Sequence, residues 1–217
     1  MTAAIKTNKL KRFKNIEFIL GVLLVGGIGF AVIFSGWLFP GGGSELNLAY
    51  RLTPPLVEPS FPLGTDPLGR DVLARVIIGG EISLKVGVYS ALGAVVIGII
   101  MGLVSGYYGG FLDMIVMRFA DVQLALPFIL LAITFIAVIG GGLTNMIILL
   151  IISQWVQYAR LVRGSVLSLR DREFILAAKA IGVKDIRILF QHLLPNLIGP
   201  VIVLMTLNVA NNILLES

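Results

Sequence analysis

REFILAAKAIGVKDIRILFQHLLPN, residues 172–196, is the one strongly polar island in the membrane-embedded half of this chain. Apolar segments flank it on both sides, and membrane chains rarely keep a folded, charged segment between two spans unless something docks on it. Helical periodicity puts Phe174, Ile175, Ala178, Ile181 and Gly182 on one face, with Arg172 and Lys179 pointing elsewhere. Gly182 is then expected to break or cap the first helix. Asp185 opens a second amphipathic run through Gln191, and Pro195 is expected to end it. Periodicity leaves two readings open: a rigid knob gripped by a separate protein, or an interfacial helix lying on anionic lipid.

Composition fixes the solvent. Of 217 residues, 57% are hydrophobic and 13% charged, and the mean hydropathy is +0.97. Soluble domains are about half apolar and a quarter charged, so the fold class is an all-α, polytopic membrane helix bundle. The formal charge of +5 is not a nucleic-acid signal. Lysine and arginine gather in the tail (Lys6, Lys9, Lys11, Arg12, Lys14) and around the island (Arg160, Arg163, Arg170, Arg172, Lys179, Lys184, Arg187). That distribution places both regions, and the N-terminus, in the cytoplasm. With no cysteine, disulfides and thiol chemistry are excluded.

Taken in order, the chain divides into residues 1–80 (basic tail, first span and an outer loop) and residues 81–217 (the main span bundle, carrying the cytoplasmic loop 172–196). The first apolar stretch runs from Phe18 to Phe39, too long for a signal h-region and lacking a cleavage site, and is read as a retained span. Pro54, Pro55, Pro59, Pro62 and Pro67 rule out a continuous helix in the loop that follows. A second span is expected from Leu84 to Tyr107, with Ser90, Ala94, Gly98, Gly102 and Gly106 recurring every four residues. Small residues at that spacing let two backbones approach closely, and predict a helix–helix seam. Tyr107 to Asp121 reads as a short cytoplasmic turn leading helically into a third span, Val122–Ile139, kinked at Pro127. The fourth span is expected from Asn145 to Tyr158 and the fifth from Leu197 to Leu215. Five spans are visible, and a sixth is expected beyond Ser217.

Several chemistries are missing. There is no P-loop and no Gly-Lys pair, so the chain does not cradle ATP by itself. His192 is the only histidine, which excludes a multi-histidine metal site, and no Gly-x-Ser-x-Gly elbow occurs. Catalytic residues are therefore not expected, and neither a metal nor any other cofactor is assigned to this chain.

The island resembles the EAA loop of ABC-importer permeases: Ala177, Ala178, Gly182, Leu194 and Pro195 fall at the pattern's positions, while Leu176 stands where the family has glutamate and His192 at an apolar position. Glu173, three residues before Leu176, is a candidate substitute for that acid. A second run, Leu63-Gly64-Thr65-Asp66-Pro67-Leu68-Gly69-Arg70-Asp71 with Gly80-Glu81-Ile82-Ser83-Leu84, resembles the C-type permeases of dipeptide, oligopeptide, nickel and glutathione importers. In it Thr65 and Asp66 are suited to capping a turn, Gly69 to permitting it and Asp71 to capping the next helix. Tyr107-Tyr108-Gly109-Gly110 and Tyr158-Ala159-Arg160-Leu161-Val162-Arg163-Gly164 are similar to the same branch.

The resemblance implies a permease subunit of a binding-protein-dependent importer, working by alternating access in the cytoplasmic membrane. It implies as partners a homologous second permease, two ABC ATPase subunits holding ATP and magnesium, and an external substrate-binding protein, besides membrane lipid. Di- or oligopeptides are the expected cargo, with nickel or glutathione as alternatives. The coupling residues it implies are Glu173, Ala177, Ala178, Gly182, Leu194 and Pro195. The polar residues Gln154, Gln157, Asn208, Asn211 and Asn212 are candidates for the translocation path or for plain interhelical hydrogen bonding. Two other classes remain on the sequence: an ATPase-independent carrier or channel, and a non-transporting scaffold.

Overall fold

The computed structural model describes residues 16–216, so the basic tail from Lys6 to Lys14 lies outside the described residues. These residues fall into two compact units, one ending at Ile82 and one beginning at Ser83. Among the described residues the regular elements are helices: α1 (Ile16–Ile33), α2 (Ser35–Leu38), α3 (Val72–Tyr108), α4 (Gly110–Ala125), α5 (Phe128–Ile139), α6 (Leu143–Leu169), α7 (Glu173–Ala180), α8 (Asp185–Arg187) and α9 (Leu194–Glu216). A π-helical stretch, Ile188–Leu193, joins α8 to α9. Among the described residues three helical runs are long and apolar enough to cross a membrane: α3, α6 and the continuous Asp185–Leu215 run. The pair α4–α5 makes a fourth if its two arms are one span, and α1 is a shorter apolar helix.

Within the first unit, α1 and α2 meet the start of α3 through small groups. A Cβ on Gly80 would lie 3.1 Å from Val32 Cγ2, and the buried Ser35 hydroxyl donates to the Glu81 carboxylate. Residues 40–71 form no strand or long helix, as their prolines require. Asp71 then starts α3, its carboxylate accepting the Leu73 N–H at 2.8 Å. The helix thus begins twelve residues before the expected Leu84, because a polar residue at the N-cap satisfies the first free N–H groups wherever it stands. At 37 residues α3 is about 55 Å long, well beyond the ~30 Å hydrocarbon thickness.

The second unit is organised by the small-residue face of α3. A Cβ on Gly98 would sit 2.3 Å from Tyr158 Cβ; on Gly102, 2.6 Å from the Ala159 carbonyl; on Gly106, 2.9 Å from Val166 Cβ. Helix α6 therefore lies almost backbone to backbone against α3, which the four-residue repeat predicts. Ser90 and Ala94, on the same face, are fully buried.

Three expectations need correcting here. Pro127 does more than kink a helix. Leu126 and Pro127 are both extended (ψ 126 and 131) and α4 and α5 diverge by 92°. A residue before proline is pushed out of the α region, and here that stops the helix altogether. The turn expected over Tyr107–Asp121 is confined to the Gly109-Gly110 corner (φ 65 and 55), and the helical approach is α4 itself, which begins at Gly110. Finally α6 does not stop at Tyr158 but runs to Leu169, and its two arginines pair with α4, Arg160 Nη2 to Asp121 Oδ1 at 2.6 Å and Arg163 to both Asp113 oxygens at 2.5 and 2.6 Å.

Candidate functional site

After α6 the chain turns at Arg170 and Asp171, becomes extended at Arg172, and enters α7. Gly182 ends α7 in a left-handed conformation (φ 79). Its N–H donates to the Lys179 carbonyl at 3.0 Å and the Val183 N–H reaches back to the Ala178 carbonyl at 3.0 Å. This is the Schellman arrangement, in which glycine avoids the Cβ penalty and the last carbonyls gain donors.

Pro195 does not end the second run. The chain passes from α8 through the π-helical Ile188–Leu193 into α9, with Pro195 in the first turn of α9. A proline ring within a helix presses on the carbonyl four residues earlier and removes one bond. The wider π turn opens just before it, the Leu194 N–H going to the Leu189 carbonyl, and Asn196 Nδ2 donates to the His192 carbonyl at 2.6 Å. The polar island is therefore one short helix, one glycine corner, and the start of a long span.

The expected common face of α7 is divided. Ile175 and Ala178 are buried in the cluster that also holds Tyr107, Tyr158, Val162, Ile188 and Leu193. Phe174 and Ile181 point outward instead, Ile181 being 81% exposed. With Ala177, Leu176, Ile186 and Phe190, all exposed, they form an apolar outer surface on the segment between α6 and α9, amid Arg172, Lys179, Lys184 and Arg187. Helix α7 thus has two apolar sides, one consumed by the core and one free. Of the residues singled out from the sequence, Glu173, Ala177, Gly182 and Pro195 are exposed, Leu194 is half-buried, and Ala178 faces the core. Burying Ile175 and Ile188 is worth about 2–3 kcal/mol each, enough to fix so short a helix to the bundle.

Further contacts tie this segment to the spans, and sequence reading did not find them. The Tyr107 hydroxyl, at the end of α3, donates to Asp185 Oδ1 at 2.7 Å. Lys179 Nζ stands 4.8 Å from the Tyr107 ring centroid. Arg170 Nη1 donates to the Gly106 carbonyl at 3.0 Å. The Tyr107-Tyr108-Gly109-Gly110 motif drew attention to this corner; nothing local indicated its partners, which lie about 70 residues further on.

The intramembrane amides sort into two groups. Gln154 and Asn212 are buried and bonded to each other, and Asn212 Nδ2 also donates to Ser90 Oγ at 2.8 Å, tying α3, α6 and α9 together. Asn208, also buried, makes a long 3.4 Å contact with Gln157 Oε1. Gln157 and Asn211 are exposed. Where α4 breaks into α5 a cavity of about 430 Å³ opens, its polar lining being Gln123, Ser153, Gln154 and Gln157. Gln123 is held there by the Ile152 and Ser153 carbonyls and by the Trp155 indole N–H.

In the loop of the first unit, Asp66 is a hub. Its Oδ1 accepts the Leu68 and Arg70 N–H groups at 2.8 and 3.0 Å, and its Oδ2 takes Arg70 Nε at 2.7 Å and Arg75 Nη1 at 2.6 Å. Loss of hydration alone would raise its pKa, but the donors from Arg70 and Leu68 hold it down at about 2. Thr65 bridges Tyr50 and Thr53, its hydroxyl donating to the Tyr50 carbonyl and accepting the Thr53 N–H. Gly64 (φ 76) and Gly69 (φ 74) pass hard against backbone: a Cβ on Gly69 would be 1.8 Å from the Asn47 carbonyl oxygen. Leu52 and Leu56 also adopt positive φ (55 and 64), which the sequence does not signal. Among the described residues no group of three or more His, Asp or Glu side chains is placed to hold a metal.

A long-helix bundle with a two-faced amphipathic segment between two spans defines a polytopic membrane component. The chain belongs to the family of binding-protein-dependent transport system inner membrane components, which matches residues 94–217. It is 42% identical over 201 residues to a dipeptide transport system permease protein, DppC, of Alkalihalophilus pseudofirmus, covering 93% of this chain and 66% of that one. It is 39% identical to the oligopeptide transport system permease protein OppC of Bacillus subtilis, covering 98% of this chain and 67% of that one. A glutathione transport system permease protein, GsiD, of Pectobacterium atrosepticum is 40% identical over 70% of this chain and half of its own length. The chain therefore spans about two thirds of the length of its peptide-permease relatives.

Proposed function

We propose that this chain is the permease subunit of an ATP-driven, binding-protein-dependent importer that carries di- or oligopeptides across the cytoplasmic membrane by alternating access. The observation that carries the reading is the outward apolar surface of the 172–196 segment, Phe174, Ala177, Ile181, Ile186 and Phe190, on a segment whose other side is part of the span core. A surface so exposed and so firmly backed supports a contact with another protein over an unanchored helix lying on lipid. We assign that contact to an ABC ATPase subunit, with ATP and magnesium held there. A homologous permease, a second ATPase and an external binding protein complete the assembly. Residues 81–217 form the permease core, the N-terminus is cytoplasmic, and the 172–196 segment is the coupling loop. Peptide cargo is favoured by the peptide-transport names of the relatives at 39–42% identity over more than nine tenths of this chain. On the path, the exposed Gln157 and Asn211 are better placed to meet cargo amides than Gln154 and Asn212, which satisfy each other.

The test uses the assembled complex in liposomes. Ala177→Glu puts a charge on the outward surface and should cut ATPase capture and peptide uptake by at least about tenfold while the chain still inserts, the loss typical of a central contact residue. Full capture by Ala177→Glu rejects the docking surface. Uptake of glutathione in place of dipeptide by the wild-type complex moves the cargo assignment to that substrate. Uptake without any ATPase would favour a carrier.

A further inference from the structure

We infer that Tyr107 is a positioning residue that locks both arms of the 172–196 segment to the end of α3, so that the segment and the spans move as one body. The inference rests on the permease reading and deepens it: if an ATPase grips the outer surface, Tyr107 adds a directional polar tie to the shared apolar core through which the grip transmits displacement. Tyr107 is the last buried residue of α3, only 8% exposed. Its ring face receives Lys179 from α7, on one side of the Gly182 corner, and its hydroxyl binds Asp185 of α8, on the other side. The Gly182 corner itself is closed by two backbone hydrogen bonds, and one side chain reaching both arms adds a tie between them and α3. Asp185 begins the continuous run to Leu215, and α3 is packed along α6 by Gly98, Gly102 and Gly106, so Tyr107 connects the segment to all three long helical runs. The arrangement uses an aromatic with a polar tip: the ring is buried in the core while the hydroxyl and the ring face keep charged partners at its edge.

The chain contains no cysteine, so two introduced cysteines report unambiguously. Ser168→Cys at the end of α6 and Lys184→Cys beyond the corner, both exposed, carry spin labels in the assembled complex. Tyr107→Phe keeps the ring and removes only the hydroxyl. It should broaden the label-to-label distance distribution and lower dipeptide uptake per ATP hydrolysed by about tenfold, the change expected from losing one hydrogen bond to a charged group. The amount of inserted chain and the capture of ATPase should not change. Lys179→Gln, at an exposed position, should lower uptake per ATP by about two- to fivefold. Asp185→Leu should reproduce Tyr107→Phe, whereas Asp185→Asn, which keeps the acceptor oxygen, should stay within about twofold of wild type. An unchanged distance distribution in Tyr107→Phe overturns the inference, as does a loss of uptake matched only by loss of inserted chain. ATPase capture by the wild-type chain is scored separately: its absence rejects the permease reading, while the label distances still judge Tyr107 as the anchor.

Discussion

Two segments outside the long helices, the 40–71 loop and the 172–196 segment, are held in shape by opposite means. In the first the work is done by short-range polar contacts: Asp66 gathers four donors within nine residues, Thr65 clips two turns, and glycines pass where no side chain fits. The exposed leucines Leu46, Leu48, Leu52 and Leu56 show how little apolar burial contributes there. In the second segment the polar contacts are few and long-range, and the shape comes from Ile175, Ala178, Ile188 and Leu193 entering the span core. The difference teaches what each can transmit. A loop fixed by its own hydrogen bonds keeps a shape; a segment sharing its core with the spans is built so that a displacement of one must be met by the other.

Substitutions that attack each mode separate them. The largest effect is expected for Ile175→Asp, which buries an unpaired charge and should cost several kcal/mol. Its signature is rapid proteolysis within 172–196 and loss of stable insertion, while the 40–71 loop keeps its protection. If that segment stays protected, its shape does not depend on the core. Next comes Gly69→Ala, where a positive φ costs about 1–2 kcal/mol and the clash with Asn47 adds to it. Proteolysis should then open the 40–71 loop and leave ATPase capture unchanged; loss of capture would break the separation of the two segments.

The smallest effect is the pH dependence carried by Asp66. Its folded pKa is held at about 2 against an ordinary 3.8, so the loop stability it supplies is complete above about pH 4 and disappears as pH falls towards 2. Protection of the 64–72 amides, taken relative to exchange of the unfolded chain at the same pH, should fall over that window, and Asp66→Asn should flatten the profile. An unchanged profile in the variant would assign the acid sensitivity elsewhere.

The helical bundle was legible because its signals are periodic or local. Ser90, Ala94, Gly98, Gly102 and Gly106 mark a seam by spacing alone, and the structure closes α6 on it. Asp71 and Gly182 act on their own neighbours, so a cap and a corner can be read without knowing the fold. Pro127 announced an interruption but not its size, since a kink and a 92° break begin with the same missing N–H and are chosen by what the two arms pack against. Pro195 looked like an end and became part of a span because a π turn absorbed it.

What the sequence determined by itself is the membrane environment, the helical class, the α3 seam, and the two motif-bearing segments, all consequences of hydropathy, spacing and nearest-neighbour hydrogen bonding. Tertiary structure alone decided which side of α7 is free. Phe174, Ile175, Ala178 and Ile181 form one apolar arc on paper, and only the presence of Tyr107, Val162 and Ile188 determines that Ile175 and Ala178 are consumed and Phe174 and Ile181 are left outside. The same holds for Arg163 with Asp113 and for Tyr107 with Asp185, pairs 50 and 78 residues apart. Such pairs leave no local trace, because each partner is an ordinary surface residue until the chain folds and places the other beside it.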